Sequence, residues 1–544
     1  MNSTIFSRNR VRAALVACSA SVVFAVAVPA FGAPQFVRLS YTGDTSSTVS
    51  ITWNTDADTG SEVRFGASSG SLSSAATGTS FQTTSGLGWV HEVTLDGLQS
   101  GATYYYSAGD AADGFSTEHE FTTGPSQDAS CGSLRFAFLG DNRPDPTFGG
   151  GENWPQILGQ SVQQNPAFVL NGGDLVIDGD QIDQWRAMLG WTEAVASSRP
   201  FMPAIGNHDT GPGSGDSANY NQLFALPRSA GPKGSGTEDY YYFTYGNAIF
   251  VALSTEGFST GAIPFADQAA WLDQVLTDNP RKWKIVFYHK PTYTHEAFFS
   301  ISHAPNEAGQ NDAFVSMFDK HHVDVVFTSH NHWYERYEPS ACGTQGNAGS
   351  TAACSVGAGN YAGGTVYYVS GGAGAFTIPA MLCGSETGRV LCSGDHHYIV
   401  ADIQNEVMRL DTWGAAPQTN QIIDSITISK PADVCDPQPD AGPPEAGPSE
   451  AGPPDASPDS PAPLDAAVLP DGSDIEDAPA VLPDAPVEAS VAQDASEEAG
   501  VAAIPEASSN GGCGCSTPVR SASGWSVLGI AAVGFALRSV RRRR

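Results

Sequence analysis

The chain has 544 residues, enough for two or three domains and a large enclosed core. Its formal net charge at pH 7 is -32. Because so acidic a chain repels nucleic acid, the composition argues against a nucleic-acid scaffold as a partner.

Residues 1–33 have the composition of an export signal. Several arginines precede the apolar run AALVACSASVVFAVAV, and small residues follow in PAFGA. A buried N-terminal helix would also be apolar, but the order of basic, apolar and small residues fits a signal peptide better. We therefore expect an exported protein that is secreted or that lies at the cell surface or outer membrane.

Export makes disulfide bonds the expected state of the cysteines. Four of the nine cysteines form two pairs that are close in sequence, Cys342 with Cys354 and Cys383 with Cys392. Each pair is expected to form a local disulfide. A bond between Cys131 and Cys435 is a further possibility, but spacing does not fix connectivity. None of the cysteines has the CxxC spacing of a zinc site.

The sequence pattern of residues 34–125 predicts a small antiparallel β-sandwich. Short alternating segments such as VSITWNT and WVHEVTLDGL are separated by Gly, Ser and Thr. Trp53 lies where an inward-facing core aromatic is expected. The stretch LDGLQSGATYYYSAG resembles the corner of a fibronectin type III domain, in which a tyrosine locks a turn between strands. A module of that type usually positions other domains and performs no chemistry.

Residues 133–429 predict an α/β domain. Apolar, strand-like runs alternate with longer connections, as in LRFAFLGD, AFVLNGGD, MPAIGNHD, WKIVFYHK and VDVVFTSHNH. The segment DQAAWLDQVLTDN has helical spacing, with Trp271, Leu272, Val275 and Leu276 on one side. Strands interleaved with helices are typical of an α/β fold.

Residues 436–510 and 511–544 differ from the rest of the chain. The first segment is rich in Pro, Ala, Gly, Asp and Glu and lacks Lys and Arg, so we expect a disordered, extended linker. The second combines a Cys motif, GGCGCSTP, with a short hydrophobic segment and the basic end RSVRRRR. It resembles the MYXO-CTERM type of surface-sorting tag. The alternative is a simple membrane anchor, and both readings attach the chain to a membrane or cell surface.

Five of the apolar runs end in residues that bind metals. The segments GDNR, GGD, GNHD, YHKP and SHNH follow them and supply Asp141, Asp174, Asn207, His289, His330 and His332. Each segment alone is compatible with an ordinary turn or a core histidine. Sites in α/β sheets form beyond the carboxyl ends of the strands, so the joint pattern predicts that these side chains meet. Such oxygen and imidazole ligands suit two divalent first-row metal ions.

The series GD, GGD, GNHD, xxH and xHNH resembles the metallophosphoesterase (calcineurin-like) superfamily. With the preceding sandwich, the chain looks most like the purple acid phosphatase branch, over residues 34–429. The resemblance implies a multidomain chain whose second domain is a four-layer αββα fold, with two sheets flanked by helices. It also implies two divalent or mixed-valence metal ions, for which Fe, Zn and Mn are the candidates.

The resemblance gives each site residue a role. It places Asp141 and His332 at the first metal, Asn207, His289 and His330 at the second, and Asp174 between the two as a bridge. His208 would then face the leaving-group oxygen and stabilise charge or donate a proton. A shared water, its pKa lowered by two metals, would attack the phosphoryl group.

Two positions depart from the pattern of the family. Where the purple enzymes have a tyrosine ligand three residues after Asp174, this chain has Ile177, so we expect no tyrosine-to-iron colour. Where other branches have a histidine two residues after Asp141, it has Arg143, which cannot ligate. Water, Asn142 or Asp145 could complete the first metal site, or that metal binds weakly. Arg143 could instead bind a substrate phosphate, or lie at the surface.

The predicted activity is metal-dependent hydrolysis of small phosphate esters, with phosphomonoesters favoured. Phosphodiesterase or nucleotide pyrophosphatase activity is the nearest alternative. A non-catalytic surface binding protein with a degenerate phosphatase domain is a third reading, and the missing ligand at the first metal favours it somewhat. His295 and His303, in the loop after YHKP, are candidates to line the substrate pocket, or are exposed loop residues. The oligomeric state stays open.

Overall fold

The computed structural model describes residues 32–128, 130–143, 153–256, 264–297, 302–342, 351–415 and 420–432. The predicted linker and sorting tag, almost all of the predicted signal, Asp145 and Cys435 lie outside these ranges. None of the helices within them combines the length and the hydropathy of a transmembrane span.

The first domain is a β-sandwich of nine strands within the described residues 35–122. One sheet has the strand order β1-β2-β6-β5, and the other has the order β4-β3-β7-β8 with β9 paired to β7. All of these pairings are antiparallel. The strands are β1 Gln35–Ser40, β2 Val49–Thr55, β3 Glu62–Gly66, β4 Ser74–Thr77, β5 Thr79–Gln82, β6 Trp89–Leu95, β7 Thr103–Asp110, β8 Gly114–Phe115 and β9 His119–Thr122.

The core of the sandwich forms where apolar side chains of both sheets meet. Trp53 is fully buried there, as its place in the alternating segment predicted, and its ring stacks on that of His91 at a centroid distance of 5.0 Å. At the turn before β7, the backbone N–H of Gln99 donates to the hydroxyl of Tyr104 over 3.0 Å. A tyrosine therefore fastens this corner of the domain.

The second domain alternates strands and helices. Its elements are β10 Ser133–Leu139, α1 Asn153–Val162, β11 Phe168–Asn171, α2 Ile182–Ala196, β12 Phe201–Pro203, α3 Asn219–Leu223, β13 Tyr241–Tyr245, β14 Ala248–Ala252, α4 Phe265–Asp278, β15 Trp283–Phe287, α5 Asn311–His321, β16 Val325–Thr328, β17 Tyr334–Tyr337, β18 Val366–Ser370, β19 Arg389–Ser393, β20 His397–Gln404, β21 Val407–Gly414 and β22 Gln421–Ser429. The runs singled out in the sequence form β10, β11, β12, β15 and β16, and the helical segment forms α4.

These strands build two mixed sheets. Sheet I has the order β12-β11-β10-β20-β21-β22, and sheet II has the order β13-β14-β15-β16-β18-β17-β19. In sheet I, β10, β11 and β12 are parallel, and in sheet II, β14, β15, β16 and β18 are parallel. Because parallel strands end at the same edge, the segments that follow β10, β11 and β12 emerge side by side, as do those after β15 and β16.

The sheets pack face to face through aromatic side chains. Phe138 of sheet I stacks on Phe327 of sheet II at 4.7 Å between ring centroids. Helix α1 covers the outside of sheet I, where Trp154 meets Phe201, and α2 packs beside it. Helices α4 and α5 cover the outside of sheet II, where Trp271 and Phe314 join a separate apolar core. The layers therefore follow the order helix, sheet, sheet, helix.

Buried hydrogen bonds join the sandwich to the second domain. Arg38 of β1 is 5 % exposed and donates from Nε to the C=O of Leu223 over 2.7 Å. The hydroxyl of Tyr106 in β7 donates to the C=O of Ser197, at the end of α2, also over 2.7 Å. The sandwich is therefore fixed against the second domain by polar contacts as well as by packing.

The second domain contains both local disulfides suggested by the sequence. Cys342 is bonded to Cys354, and Cys383 is bonded to Cys392. The sequence separations within these pairs are 12 and 9 residues, so each bond closes a short loop.

Candidate metal centre

The six predicted ligands meet at one end of the second domain. Each follows a strand directly: Asp141 follows β10, Asp174 follows β11, Asn207 follows β12, His289 follows β15, and His330 and His332 follow β16. Two of the strands belong to sheet II and three to sheet I, so the site lies where the edges of both sheets converge. The carboxylates and imidazoles of this group are at most 5 % exposed.

Several of these residues have an unusual backbone. Asp141, Asp174 and His330 have φ values of 55°, 57° and 70°, in the left-handed region that few residues other than glycine adopt. Gly206, before the GNHD asparagine, approaches Asp174 so closely that a Cβ atom would lie 2.3 Å from its nitrogen. Such constraints aim the side chains inward, and strained backbone of this kind is typical of functional sites.

Three of the ligand atoms assigned to the second metal surround the fourth, His289 Nε2, and we call this group the second position. The Nε2 atom of His289 lies 3.2 Å from Asp174 Oδ1, 3.1 Å from Asn207 Oδ1 and 3.0 Å from His330 Nδ1. On its other side, Nδ1 of His289 donates to the C=O of Gly172 over 2.9 Å. Since a carbonyl only accepts, the neutral form of His289 presents a lone pair to the other three atoms.

His330 is oriented in the same way. Its Nε2 lies 2.9 Å from a carboxylate oxygen of Glu307, which fixes the proton on Nε2 and leaves a lone pair on Nδ1. Burial lowers the pKa of His330 to about 3, so its ring is neutral. For His289, burial acts against the charged form, but the Asp174 carboxylate outweighs it and raises the pKa to about 10. The cluster therefore favours a positive charge at its centre, and its donor set fits a metal ion.

Three atoms make up what we call the first position: Asp141 Oδ1, Asp174 Oδ2 and His332 Nε2. Nδ1 of His332 donates to the C=O of Phe376 over 3.0 Å, so its Nε2 faces Asp141 Oδ1, 3.4 Å away. Both carboxylate oxygens are buried, and neither accepts a hydrogen bond within the described residues. Buried anionic oxygens of this kind require a compensating charge.

Arg143 lies against this position instead of at the surface. Its Nε is 3.2 Å from Asp174 Oδ2, and its Nη2 is 3.2 Å from His332 Nε2. Asn142 does not complete the site, because its side chain accepts from Asn171 over 2.9 Å and donates to the C=O of Leu175. The described residues at the first position therefore fit a metal ion less well than those at the second.

His208 lies at the entrance to the site. Its side chain is 32 % exposed, and its backbone N–H donates to Asp174 Oδ1 over 3.0 Å. Nδ1 is 2.5 Å from the C=O of Ile177, and Nε2 is 4.0 Å from Asp174 Oδ2. Nε2 is thus the ring nitrogen that can exchange a proton with a ligand at the entrance.

The structure separates the two loop histidines. The ring of His303 packs on that of His330 at a centroid distance of 3.7 Å, so His303 borders the site. His295 is instead paired with Glu386 over 2.5 Å and stacks on Trp333. Among the described contacts, none joins His295 to the six ligands.

Two acidic residues of the site were missed in the sequence. Asp209, the last residue of GNHD, accepts hydrogen bonds from backbone N–H groups after β11 and β12. Its place inside the motif was a usable signal. Glu307 contacts both His303 and His330, at 3.1 Å and 2.9 Å. It lies in an irregular loop, and no strand-end pattern marks it.

Comparison with known proteins agrees with the two-domain organisation. The family model for the N-terminal domain of purple acid phosphatase matches residues 34–123, and that for calcineurin-like phosphoesterase matches residues 134–334. The chain is 30% identical to acid phosphatase type 7 of Mus musculus over 329 residues, which cover 56% of this chain and 71% of that protein. It is 27% identical over 281 residues to purple acid phosphatase 23 of Arabidopsis thaliana. These residues cover 46% of this chain and 58% of that protein.

A solved structure shows the same fold. The purple acid phosphatase from yellow lupin (Lupinus luteus) seeds superimposes with a TM-score of 0.61 at 21% identity, over 73% of this chain and 74% of that chain. The purple acid phosphatase family uses a dinuclear metal centre. From the matched domains, the relatives and the site together, we conclude that this chain belongs to the purple acid phosphatase family of calcineurin-like phosphoesterases.

Proposed function

We propose that this protein hydrolyses phosphomonoesters with water, in a metal-dependent reaction for which Fe, Zn and Mn are the candidate ions. The observation that carries the proposal is the second position, where atoms of Asp174, Asn207 and His330 each lie 3.0–3.2 Å from His289 Nε2. Ligand atoms of Asp174, His289 and His330 all lie within 4.8 Å of one another. A divalent ion held there supplies Lewis acidity that lowers the pKa of water and neutralises phosphoryl charge.

The side chains around the entrance suit this reaction. The oxygen of water forms a new bond to phosphorus while the bond from phosphorus to the alcohol oxygen breaks. That oxygen leaves with the electron pair and takes a proton from Nε2 of protonated His208. The attacking water loses a proton to solvent, from which His208 is protonated again. Arg143 offers N–H groups to the phosphoryl oxygens, which carry the charge in the transition state.

Two side chains that can carry positive charge, Arg143 beside the first position and His208 at the entrance, favour monoesters over diesters. A phosphomonoester carries up to two negative charges near neutral pH and a diester carries one, so Arg143 and His208 stabilise the monoester more. A nucleotide pyrophosphatase or phosphodiesterase would show the opposite preference.

The test compares an aryl phosphate with a bis-aryl phosphate, using the metal-loaded protein. We expect faster hydrolysis of the monoester, loss of activity on chelation, and at least about a 100-fold loss in Asp174→Asn. The matched control is Asp278→Asn, at an exposed position of α4, which should keep full activity.

Faster hydrolysis of the diester would reject the monoester assignment. A folded, metal-loaded protein that hydrolyses neither substrate would point to the non-catalytic surface protein instead.

We further propose that the protein is exported and attached to the cell surface through residues 511–544. The order of residues in 1–33 and the two local disulfides support this, because disulfides persist in oxidising compartments. Fractionation of cells that express the full chain checks it: recovery in the cytosol would contradict the proposal.

A further inference from the structure

A positively charged side chain of the protein, that of Arg143, already contacts the first position. Asp174 Oδ2 and His332 Nε2 each lie 3.2 Å from a nitrogen of the Arg143 guanidinium. The third atom, Asp141 Oδ1, is 3.4 Å from His332 Nε2 and therefore belongs to the same cluster. The guanidinium contacts two of the three atoms that the first metal of this family would need.

The backbone holds Arg143 in this place. Its N–H donates to the C=O of Asp174 over 3.1 Å, and the N–H of Asp141 donates to the C=O of Gly173 over 3.0 Å. The Arg143 side chain is only 12 % exposed, so it extends into the cluster and not into solvent. A long, permanently charged side chain is thus built into a buried site.

The first position also lacks a further protein ligand among the described residues. Ile177 has a hydrocarbon side chain, and its backbone is used: its N–H donates to Gln184 over 2.8 Å and its C=O contacts His208. The Asn142 side chain is turned toward Asn171. The chain therefore differs from its family at two places together, a cation at 143 and an apolar side chain at 177.

These two differences have the same consequence for the metal. A divalent ion bound to Asp174 Oδ2 and His332 Nε2 would lie next to a guanidinium that cannot lose its proton in a protein. Two cations so close repel each other strongly in a buried site. At the second position, in contrast, ligand atoms of Asp174, His289 and His330 lie within 4.8 Å of one another and could hold one ion.

We propose that this protein works with one metal ion, at the second position, and that the Arg143 guanidinium replaces the first ion. This inference rests on the proposed phosphatase function. The bonds made and broken are the same as above. The water oxygen bonds to phosphorus, the ester P–O bond breaks, and the alcohol oxygen takes a proton from His208. The guanidinium stabilises negative charge on the phosphoryl oxygens and transfers no proton.

Metal content measures this directly. The full chain, saturated with Mn²⁺ and then freed of excess ion, is analysed by elemental mass spectrometry and electron paramagnetic resonance. We expect one ion per chain and the spectrum of an isolated Mn²⁺. Arg143→His removes the cation and adds a ligand, so it should bind two ions that are magnetically coupled.

The controls separate charge from structure. Arg143→Lys keeps a cation and should still bind one ion, as should Arg409→His, at a surface pair with Asp411 on β21. If Arg143→His does not fold, Arg143→Ala replaces it and should gain a second ion at higher Mn²⁺ concentration.

Two coupled ions in the unchanged protein would overturn the inference and leave the phosphatase proposal intact. A folded Arg143→His or Arg143→Ala that stays at one ion under saturating Mn²⁺ would overturn it too. Failure of every variant to bind Mn²⁺, together with absent hydrolysis, would instead count against the proposed function itself.

Discussion

At the level of single residues, His208 is set apart by its exposure. The ligands Asp174 and His289 beneath it are 1 % and 0 % exposed, whereas 32 % of the His208 side chain reaches solvent. Its Nδ1 is held by the C=O of Ile177, so Nε2 stays available beside the cluster, 4.0 Å from Asp174 Oδ2. This geometry suits proton donation to a leaving group better than metal binding.

We expect His208→Ala to lower kcat for an alkyl phosphate by about 10²- to 10⁴-fold, the usual contribution of a general acid. The loss should be much smaller for a nitrophenyl phosphate, because its leaving group needs no proton. Steady-state kinetics with both substrates measure the difference. An equal loss for both substrates, with unchanged metal content, would show that His208 acts in some other way.

At the level of elements, Asp209 ties the end of β11 to the end of β12. Its Oδ1 accepts from the backbone N–H groups of Leu175 and Val176, at 2.7 Å and 3.1 Å. Its Oδ2 accepts from those of Asp174 and Gly206, both at 2.9 Å. One buried carboxylate therefore sets the spacing between Asp174 and the GNHD segment.

We expect Asp209→Asn to destabilise the protein by about 2–4 kcal/mol, because the amide nitrogen cannot accept and leaves two buried N–H groups unpaired. Activity should fall as well, since the backbone N–H of Asp174 loses the hydrogen bond that helps to position this residue. Chemical denaturation and metal titration, with Asp278→Asn as the matched control, measure both effects. Unchanged metal affinity in Asp209→Asn would mean that the β11 and β12 ends hold their positions without it.

The strands that carry the proposed ligands could be predicted from the sequence, because the pattern that marks each strand lies within a few neighbouring residues. A buried strand is a short apolar run, and Asp, Asn or His directly after it must lie at the carboxyl edge of the sheet. Glu307 and the direction of the Arg143 side chain could not be read in this way. Both lie on irregular connections, whose course depends on contacts with residues far away in the chain.

At the level of the whole molecule, Asp424 links the two sheets of the second domain. It lies on β22 of sheet I and accepts from Arg336 and Tyr334, both on β17 of sheet II, at 2.5 Å and 2.6 Å. Burial favours its neutral form, but these hydrogen bonds outweigh burial and lower the pKa of Asp424 below its ordinary value. The ionised carboxylate therefore holds the sheets together.

Because the folded-state pKa is lowered, this contribution is present above the unfolded pKa of about 3.9 and is lost as pH falls below it. We expect Asp424→Asn to lower the free energy of unfolding by about 1.5–3 kcal/mol near neutral pH. The difference from the unchanged protein should shrink below about pH 4. Denaturation curves at several pH values test this, and a pH-independent difference would contradict it.

The arrangement of the sheets was harder to predict than their strands. Strands β20, β21 and β22 complete sheet I beside β10, although some 250 residues separate β10 from β20. Their alternating pattern marks them as strands but does not choose a partner. The two sheets and their flanking helices were expected only through the resemblance to a known family, since no local pattern specifies which sheet a strand joins.

The left-handed backbones of Asp141, Asp174 and His330 affect how mutagenesis of this protein should be read. Alanine tolerates that conformation poorly, whereas asparagine adopts it readily. An alanine scan would therefore record chain distortion together with the loss of a functional group and exaggerate the importance of these positions. At the two aspartates, asparagine keeps the shape of the side chain and removes only its charge. The difference in stability between the asparagine and alanine variants would therefore measure the backbone strain around the catalytic centre.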